Sequence, residues 1–201
     1  MRDFKDHPRR RLLKGMAASG LIGLFPGFSN GAIAAKALAP TAACDDHGEP
    51  TQAETEGPYY TPKSPERADL REPGMGGTPI LLTGLVVSRS CVPQARVLVD
   101  LWHADDNGAY DNEGYRCRGH QFTASDGSYR FATIIPGRYP GRTRHFHVKF
   151  QESTGTHLTT QFYFPGERGN EQDRLFRPEL LLALSHTPEL SGHYIVVLDR
   201  P

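Results

Sequence analysis

The sequence contains no run of the roughly 20 consecutive apolar residues that a helix needs to cross a bilayer, so a membrane-spanning helix is not expected. Cysteine is scarce and never spaced CxxC, which argues against a thiolate metal site. The three thiols, Cys44, Cys91 and Cys117, cannot all pair within one chain; a Cys44–Cys91 disulfide with Cys117 left over, or three unpaired thiols, are the arrangements open. Helical signal is confined to a short stretch at Gln172 to Phe176 or the leucine run Leu180 to Leu184. No repeat or low-complexity segment is present. Positive charge is not in excess: of 23 basic and 23 acidic residues, positions 1–35 hold six and two, leaving 17 against 21. A remainder four charges negative, with no basic cluster, excludes nucleic acid as the expected partner. With 201 residues and 37% apolar content, the chain can fill one core and not two.

At the N-terminus, Arg9-Arg10-Arg11-Leu12-Leu13-Lys14 precedes an apolar segment from Met16 to Phe28, with small residues around Ala32 to Ala39. That arrangement is similar to a twin-arginine export signal, although Pro8 stands where Ser or Thr is usual. The resemblance implies a signal peptide over 1–35, transit through the twin-arginine machinery in a folded state, and a periplasmic or secreted protein. A retained anchor is the alternative, and Pro26 and the glycines oppose it by shortening the apolar core.

Residues 36–79 are rich in Pro, Gly and charge and are expected to form an extended arm. From residue 80 onward, β-rich runs recur at Ile80 to Val87, Ala95 to Trp102, Ser128 to Ile134, His145 to Phe150, Gln161 to Phe164 and His193 to Leu198. Turn signals such as Ser125-Asp126-Gly127 and Pro136-Gly137 separate them. The pattern predicts an all-β domain over 80–201, an antiparallel β-sandwich of about eight strands with long loops.

The chemistry concentrates in Tyr139-Pro140-Gly141-Arg142-Thr143-Arg144-His145-Phe146-His147, which overlaps the only dense basic stretch, Arg138 to Arg144; interleaved with tyrosine and histidine, that stretch reads as a site. On a strand the side-chain period is two, so His145 and His147 share a face while Phe146 enters the opposite layer. Two imidazoles can thereby reach one metal ion, although an isolated HxH is more often a partly buried polar pair. Tyr110 and Tyr139 each close a turn, where a tyrosine is usually packing. As phenolates they would be hard anionic donors suited to iron(III), which lowers a phenol's pKa far below its usual value near 10.

Val99-Asp100-Leu101-Trp102-His103-Ala104-Asp105 leading to Gly108-Ala109-Tyr110 resembles the intradiol ring-cleavage dioxygenases, which act on catechol, hydroxyquinol or protocatechuate. The likeness continues through Arg118-Gly119-His120-Gln121-Phe122-Thr123, Asp126 to Phe131, Thr133 to Pro140, Arg142 to His147 and Thr160 to Phe164. It implies one Fe(3+) per chain held by Tyr110, Tyr139, His145 and His147, with a solvent hydroxide beside them. A small aromatic diol and O2 would be the substrates. Arg142 and Gln161 match residues beside the reacting ring, where a guanidinium stabilises developing negative charge and an amide positions the reactants. Tyr139 would leave the metal and take a substrate proton. Gly57, Pro58 and Tyr59, in Thr55-Glu56-Gly57-Pro58-Tyr59-Tyr60, match a turn lining the substrate mouth, and Trp102 matches a wall residue. Family members are often dimers or larger, which implies a homo-oligomer. Gly141 stands where protocatechuate enzymes carry an aromatic, and His103 replaces a common Gln, so the fitting ring substituents stay open.

Two other functions suit the same composition. One is an exported binding module using exposed aromatics. The other is a zinc or copper protein using His145, His147 and either His103 or His120.

Overall fold

The structure, a computed structural model, describes residues 48–200 apart from 154 and 156. The signal-like segment and Cys44 therefore lie outside the described residues. Cys91 is disulfide-bonded and Cys117 is a buried free thiol.

Eight strands form in chain order: β1 Pro79–Ser88, β2 Leu98–Trp102, β3 Arg118–Phe122, β4 Ser128–Ile134, β5 His145–Gln151, β6 His157–Tyr163, β7 Ala183–Ser185 and β8 Ser191–Leu198. They make two four-stranded sheets, ordered β4-β1-β8-β7 and β3-β2-β5-β6, which is the expected sandwich. One pair departs from antiparallel pairing: β1 and β8 run parallel, from Leu81 opposite Ser191 to Ser88 opposite Leu198. Closing the sheet with the last strand beside the first, in the same direction, satisfies both central strands.

Where the expected helices were sought, the chain makes two single 3-10 turns, Asn170–Gln172 and Pro178–Leu180, and then the short β7. Five residues at one site and a leucine run at the other are too short to support an isolated α-helix, and the leucines serve the sandwich instead. Leu180 and Leu182 are buried. Strand β3 escaped the sequence pattern because Arg-Gly-His-Gln-Phe carries almost no apolar signal.

The turn between β3 and β4 shows how the pattern becomes structure. Asp126 Oδ1 accepts the Ser128 N–H at 3.0 Å, and Gly127 sits at φ +76° with any added Cβ only 2.6 Å from the Val86 carbonyl. Only glycine fits there. Period-two alternation then sends Tyr129 and Phe131 of β4 inward, against Val99 and Leu101 of β2 and Phe146, Val148 and Phe150 of β5. Each fully buried Phe contributes about 1.5–3 kcal/mol of transfer free energy.

The opposite face of the second sheet is organised by register. Trp102 lies opposite Arg118 and opposite His147, and His147 lies opposite Gln161, so one row of side chains crosses all four strands. The next row is His120, Asp100, Lys149 and Thr159. This is the outer face of the sandwich, yet Arg118, Trp102, His147 and Gln161 are at most 2% exposed. The arm covers them. Residues 48–78 hold no strand or helix and run from one sheet edge to the other. Glu54 N–H donates to Thr159 O on β6, and Arg67 N–H donates to His120 O on β3, at 2.8 and 2.9 Å. Between them, Tyr60 and Ser64 hydroxyls donate to Asp100, and Glu56 pairs with Lys149. Both sheet edges are thereby occupied.

Candidate active site

At the end of the first row, four potential donor side chains converge. His145 and His147 come from β5, Tyr139 from the turn before it, and Tyr110 from the loop after β2. The His145 and His147 Nε2 atoms are 3.1 Å apart, and Tyr139 Oη is 3.3 Å from His145 Nε2. The Tyr110 and Tyr139 rings meet edge to face at 5.7 Å, and Tyr110 lies 6.1 Å from the His147 ring.

Protonation follows from the surroundings. Burial, reinforced by Arg142, pushes His145 down to about 4. Burial, then the neighbouring His145, holds His147 well below its ordinary range. Both rings are neutral near pH 7. His145 Nδ1 lies 2.7 Å from the Thr143 carbonyl, which can only accept, so Nδ1 carries the proton and Nε2 keeps a lone pair. His147 is oriented differently: its Nδ1 is buried without a partner, and its ring stacks on Trp102 at 5.0 Å with planes 8° apart. Tyr110 Oη is also buried without a hydrogen bond of ordinary geometry. Burial, and the Tyr139 hydroxyl nearby, hold its phenol above the usual range. Unsatisfied buried polar atoms are costly and rare, and here one of them, Tyr110 Oη, is a potential metal donor, while His147 is orphaned on Nδ1, away from the Nε2 that faces His145.

Arg142 joins the cluster through three contacts. Nε donates to Asp173 Oδ2 at 2.9 Å, Nη1 to Tyr139 Oη at 3.3 Å, and Nη2 to Gln161 Oε1. Asp173 is itself fixed by the Thr143 and Leu175 N–H groups, each at 2.9 Å. Burial raises its carboxyl, but these bonds and Arg142 outweigh it and hold the group below the ordinary carboxylate range. Gln161 is locked too: Nε2 donates to Thr55 O of the arm at 2.9 Å.

Of the expected mouth residues, Tyr59 stacks on Tyr110 at 4.5 Å, and Gly57, at φ +73°, lies against His147, where an added Cβ would be 3.5 Å from Cε1. Pro58 is an exposed turn residue beside them. The sequence reading missed Tyr60, Arg118 and Asp173. Neither Arg118, in a strand with almost no apolar signal, nor Asp173 carried a signal that could have found it.

The structure takes away the third histidine of the zinc or copper alternative. His103 points to the core side, edge-on to Phe146, with Nδ1 2.7 Å from Ala104 O and Nε2 2.6 Å from Thr133 Oγ1. His120 Nδ1 is engaged by Ser64 O at 2.7 Å, in the neighbouring row. No group of three His, Cys, Asp or Glu side chains among the described residues could hold a metal. Tyr110 and Tyr139 are the other potential donor side chains beside His145 and His147.

The Dioxygenase_C family model, described as dioxygenase, matches residues 55–191. The protocatechuate 3,4-dioxygenase beta chain of Burkholderia cepacia is 32% identical over 119 residues, 50% of this chain and 51% of that one. Hydroxyquinol 1,2-dioxygenase of Nocardioides simplex is 27% identical over 154 residues, 65% of this chain and 53% of that one. The chain thus spans about half the length of these curated relatives. Among solved structures, the dioxygenase domain of a dioxygenase carbohydrate-binding protein fusion from the cellulolytic bacterium Streptomyces sp. SirexAA-E superposes with a TM-score of 0.73 at 49% identity, covering 76% of this chain and all (100%) of that one. With the matched family segment spanning the arm from Thr55, both tyrosine turns and the histidine strand, the chain belongs to the intradiol ring-cleavage dioxygenase family.

Proposed function

We propose that the protein cleaves a catechol-type diol with O2 between its hydroxyl-bearing carbons, yielding a muconate-type diacid, and that Tyr110, Tyr139, His145 and His147 hold one Fe(3+). The observation that carries this reading is the convergence of two neutral imidazoles and two buried phenols at one point. The residues fit the ion. The two imidazole Nε2 atoms lie 3.1 Å apart with no proton on His145 Nε2, so both lone pairs could be shared with one ion. The orphaned Tyr110 hydroxyl gains a partner in the same step.

When bound, the metal supplies electron delocalisation into the diol and a source of hydroxide. The protein does the rest. Tyr139 lies between His145 Nε2 and the Arg142 guanidinium, so its oxygen is poised to receive a diol proton with a cation alongside. Arg142, held by Asp173, directs its remaining charge at the ring and stabilises negative charge as it develops. Gln161 cannot rotate, since Thr55 holds its amide nitrogen and Arg142 and Tyr163 occupy its oxygen. Its fixed dipole orients the reactants. Tyr59 and Trp102 supply flat walls, and the Gly57 turn closes over His147 and keeps water out.

Oxygen uptake by the iron-loaded protein against a panel of diols, with products identified by mass and isotopic labelling, tests the reading. The expected outcome is a ring-opened diacid containing both oxygen atoms. Failure of every diol to consume oxygen would sink it. A colourless iron-loaded protein would remove the tyrosines from the ligand set and favour the binding-module alternative.

We also propose export by the twin-arginine route to the periplasm or beyond. The Arg9-Arg10 motif and the disulfide-bonded Cys91 support it, since disulfides persist in oxidising compartments. Replacing Arg9 and Arg10 with lysine should leave the protein in the cytoplasm; unchanged export would refute the route.

A further inference from the structure

Arg118 is 1% exposed, yet among the described residues its guanidinium pairs with no carboxylate. A buried cation without a counter-ion is costly unless its donors are satisfied, and here they go to two main-chain oxygens, one in the loop just before β3 and one in the arm, 59 residues earlier. Nε and Nη2 both donate to the Asp111 carbonyl, at 3.0 and 2.7 Å, and Nη1 donates to the Tyr59 carbonyl at 2.7 Å. The first carbonyl belongs to the residue after Tyr110; the second belongs to the arm residue whose ring lies on Tyr110. The Arg118 Cζ is 6.0 Å from the Tyr110 ring centroid.

The side chain is aimed by its strand. Cys117, at φ 55°, turns the chain into β3, the Arg118 N–H donates to Tyr115 O at 3.1 Å, and register sets Arg118 opposite Trp102. From the arm, Arg67 Nε donates back to the Arg118 carbonyl at 3.0 Å. The Tyr59–Tyr110 stack therefore joins two loops that each hang from one planar fork. A planar fork can satisfy two carbonyls on fixed vectors at once, whereas a lysine ammonium is a point donor on a flexible stem.

We infer that Arg118 is a positioning residue that holds the arm against the Tyr110 loop and so fixes one wall of the diol pocket. The anchoring stands on the geometry alone; its kinetic consequence rests on the ring-cleavage reading. Amide hydrogen exchange on the purified full protein, comparing wild type with Arg118→Lys and Arg118→Gln, tests the anchor. Exchange in residues 57–61 and 109–113 should quicken about tenfold or more in both variants while β1 and β8 keep their protection. With the diol that wild type uses best, KM should rise about tenfold in Arg118→Gln, with a smaller change in kcat and an intermediate effect in Arg118→Lys. Wild-type exchange in both segments of Arg118→Lys overturns the inference, and so does a loss of kcat at unchanged KM. If Arg118→Gln does not fold, Arg118→Lys, which keeps length and charge, decides alone. If wild type turns over no diol, the ring-cleavage reading fails while the exchange comparison still decides the anchor.

Discussion

Along β5, Phe146, Val148 and Phe150 point between the sheets, whereas His145, His147 and Lys149 point away from them under the arm. The two sets alternate residue by residue, and both are largely buried, but for different reasons. The inner set is held by dispersion and exclusion of water, and any apolar side chain of similar volume would serve. The outer set is held by named hydrogen bonds, stacking and a strap of irregular chain, and leaves polar atoms such as Tyr110 Oη and His147 Nδ1 without partners. One face of a sheet can therefore carry stability while the other carries chemistry, provided something covers it.

Several substitutions would break or sharpen that contrast. The largest effect is expected from Tyr110→Phe, which should abolish ring cleavage and shift or bleach the visible band of the iron-loaded protein. The metal-free variant should keep its urea midpoint or gain slightly, because the lost hydroxyl makes no hydrogen bond of ordinary geometry. Phe146→Ala, on the adjacent face, should do the reverse, costing about 3–5 kcal/mol in denaturant unfolding. Next comes Arg142→Ala, where kcat should fall about 10²–10³-fold with iron retained, as for removal of a charge-stabilising donor. Full activity would refute its role.

Acid should strain both faces, through His103 on the core side and His145 under the arm. His145 ordinarily titrates at 6.5 and is pushed down to about 4 in the fold, so the unfolded chain binds a proton that the folded chain refuses. Stability of the metal-free protein should fall as pH drops from about 6.5 to about 4 and level off below that, by about 3 kcal/mol for this group. Urea midpoints across that window check it; a flat profile would show that the ring is not buried as described. The smallest effect is expected from Phe122→Ser, at the uncovered end of the outer face, where Phe122 is 41% exposed. The change in stability should stay within about 0.5 kcal/mol.

The contrast also explains what the sequence could convey. The sandwich was legible because Tyr129-Arg130-Phe131 and Phe146-His147-Val148 alternate with period two, and His145 and His147 could be assigned to one face by the same rule. Tyr110 and Tyr139 were weak candidates as turn tyrosines suited to iron(III), and only family resemblance joined them to the histidines, since a tyrosine in a turn has no spacing of its own. Gln161 was likewise carried by likeness, and its position opposite His147 emerges only from the strand register. Asp173, Arg118 and the Thr55 carbonyl were hidden because they act through contacts 31, 59 and 106 residues apart in the chain, two of them to main-chain oxygens. The parallel β1–β8 pairing was invisible for the same reason.

The strap has a consequence for the order of assembly. Thr51 exchanges hydrogen bonds with Val197, 146 positions later, and Thr55 meets Gln161. What a ribosome makes among the first pieces of the domain can thus seat only after nearly the last has emerged. Such distant pairings make folding slow, and the cover over the converging tyrosines and histidines is finished only once β8 has formed.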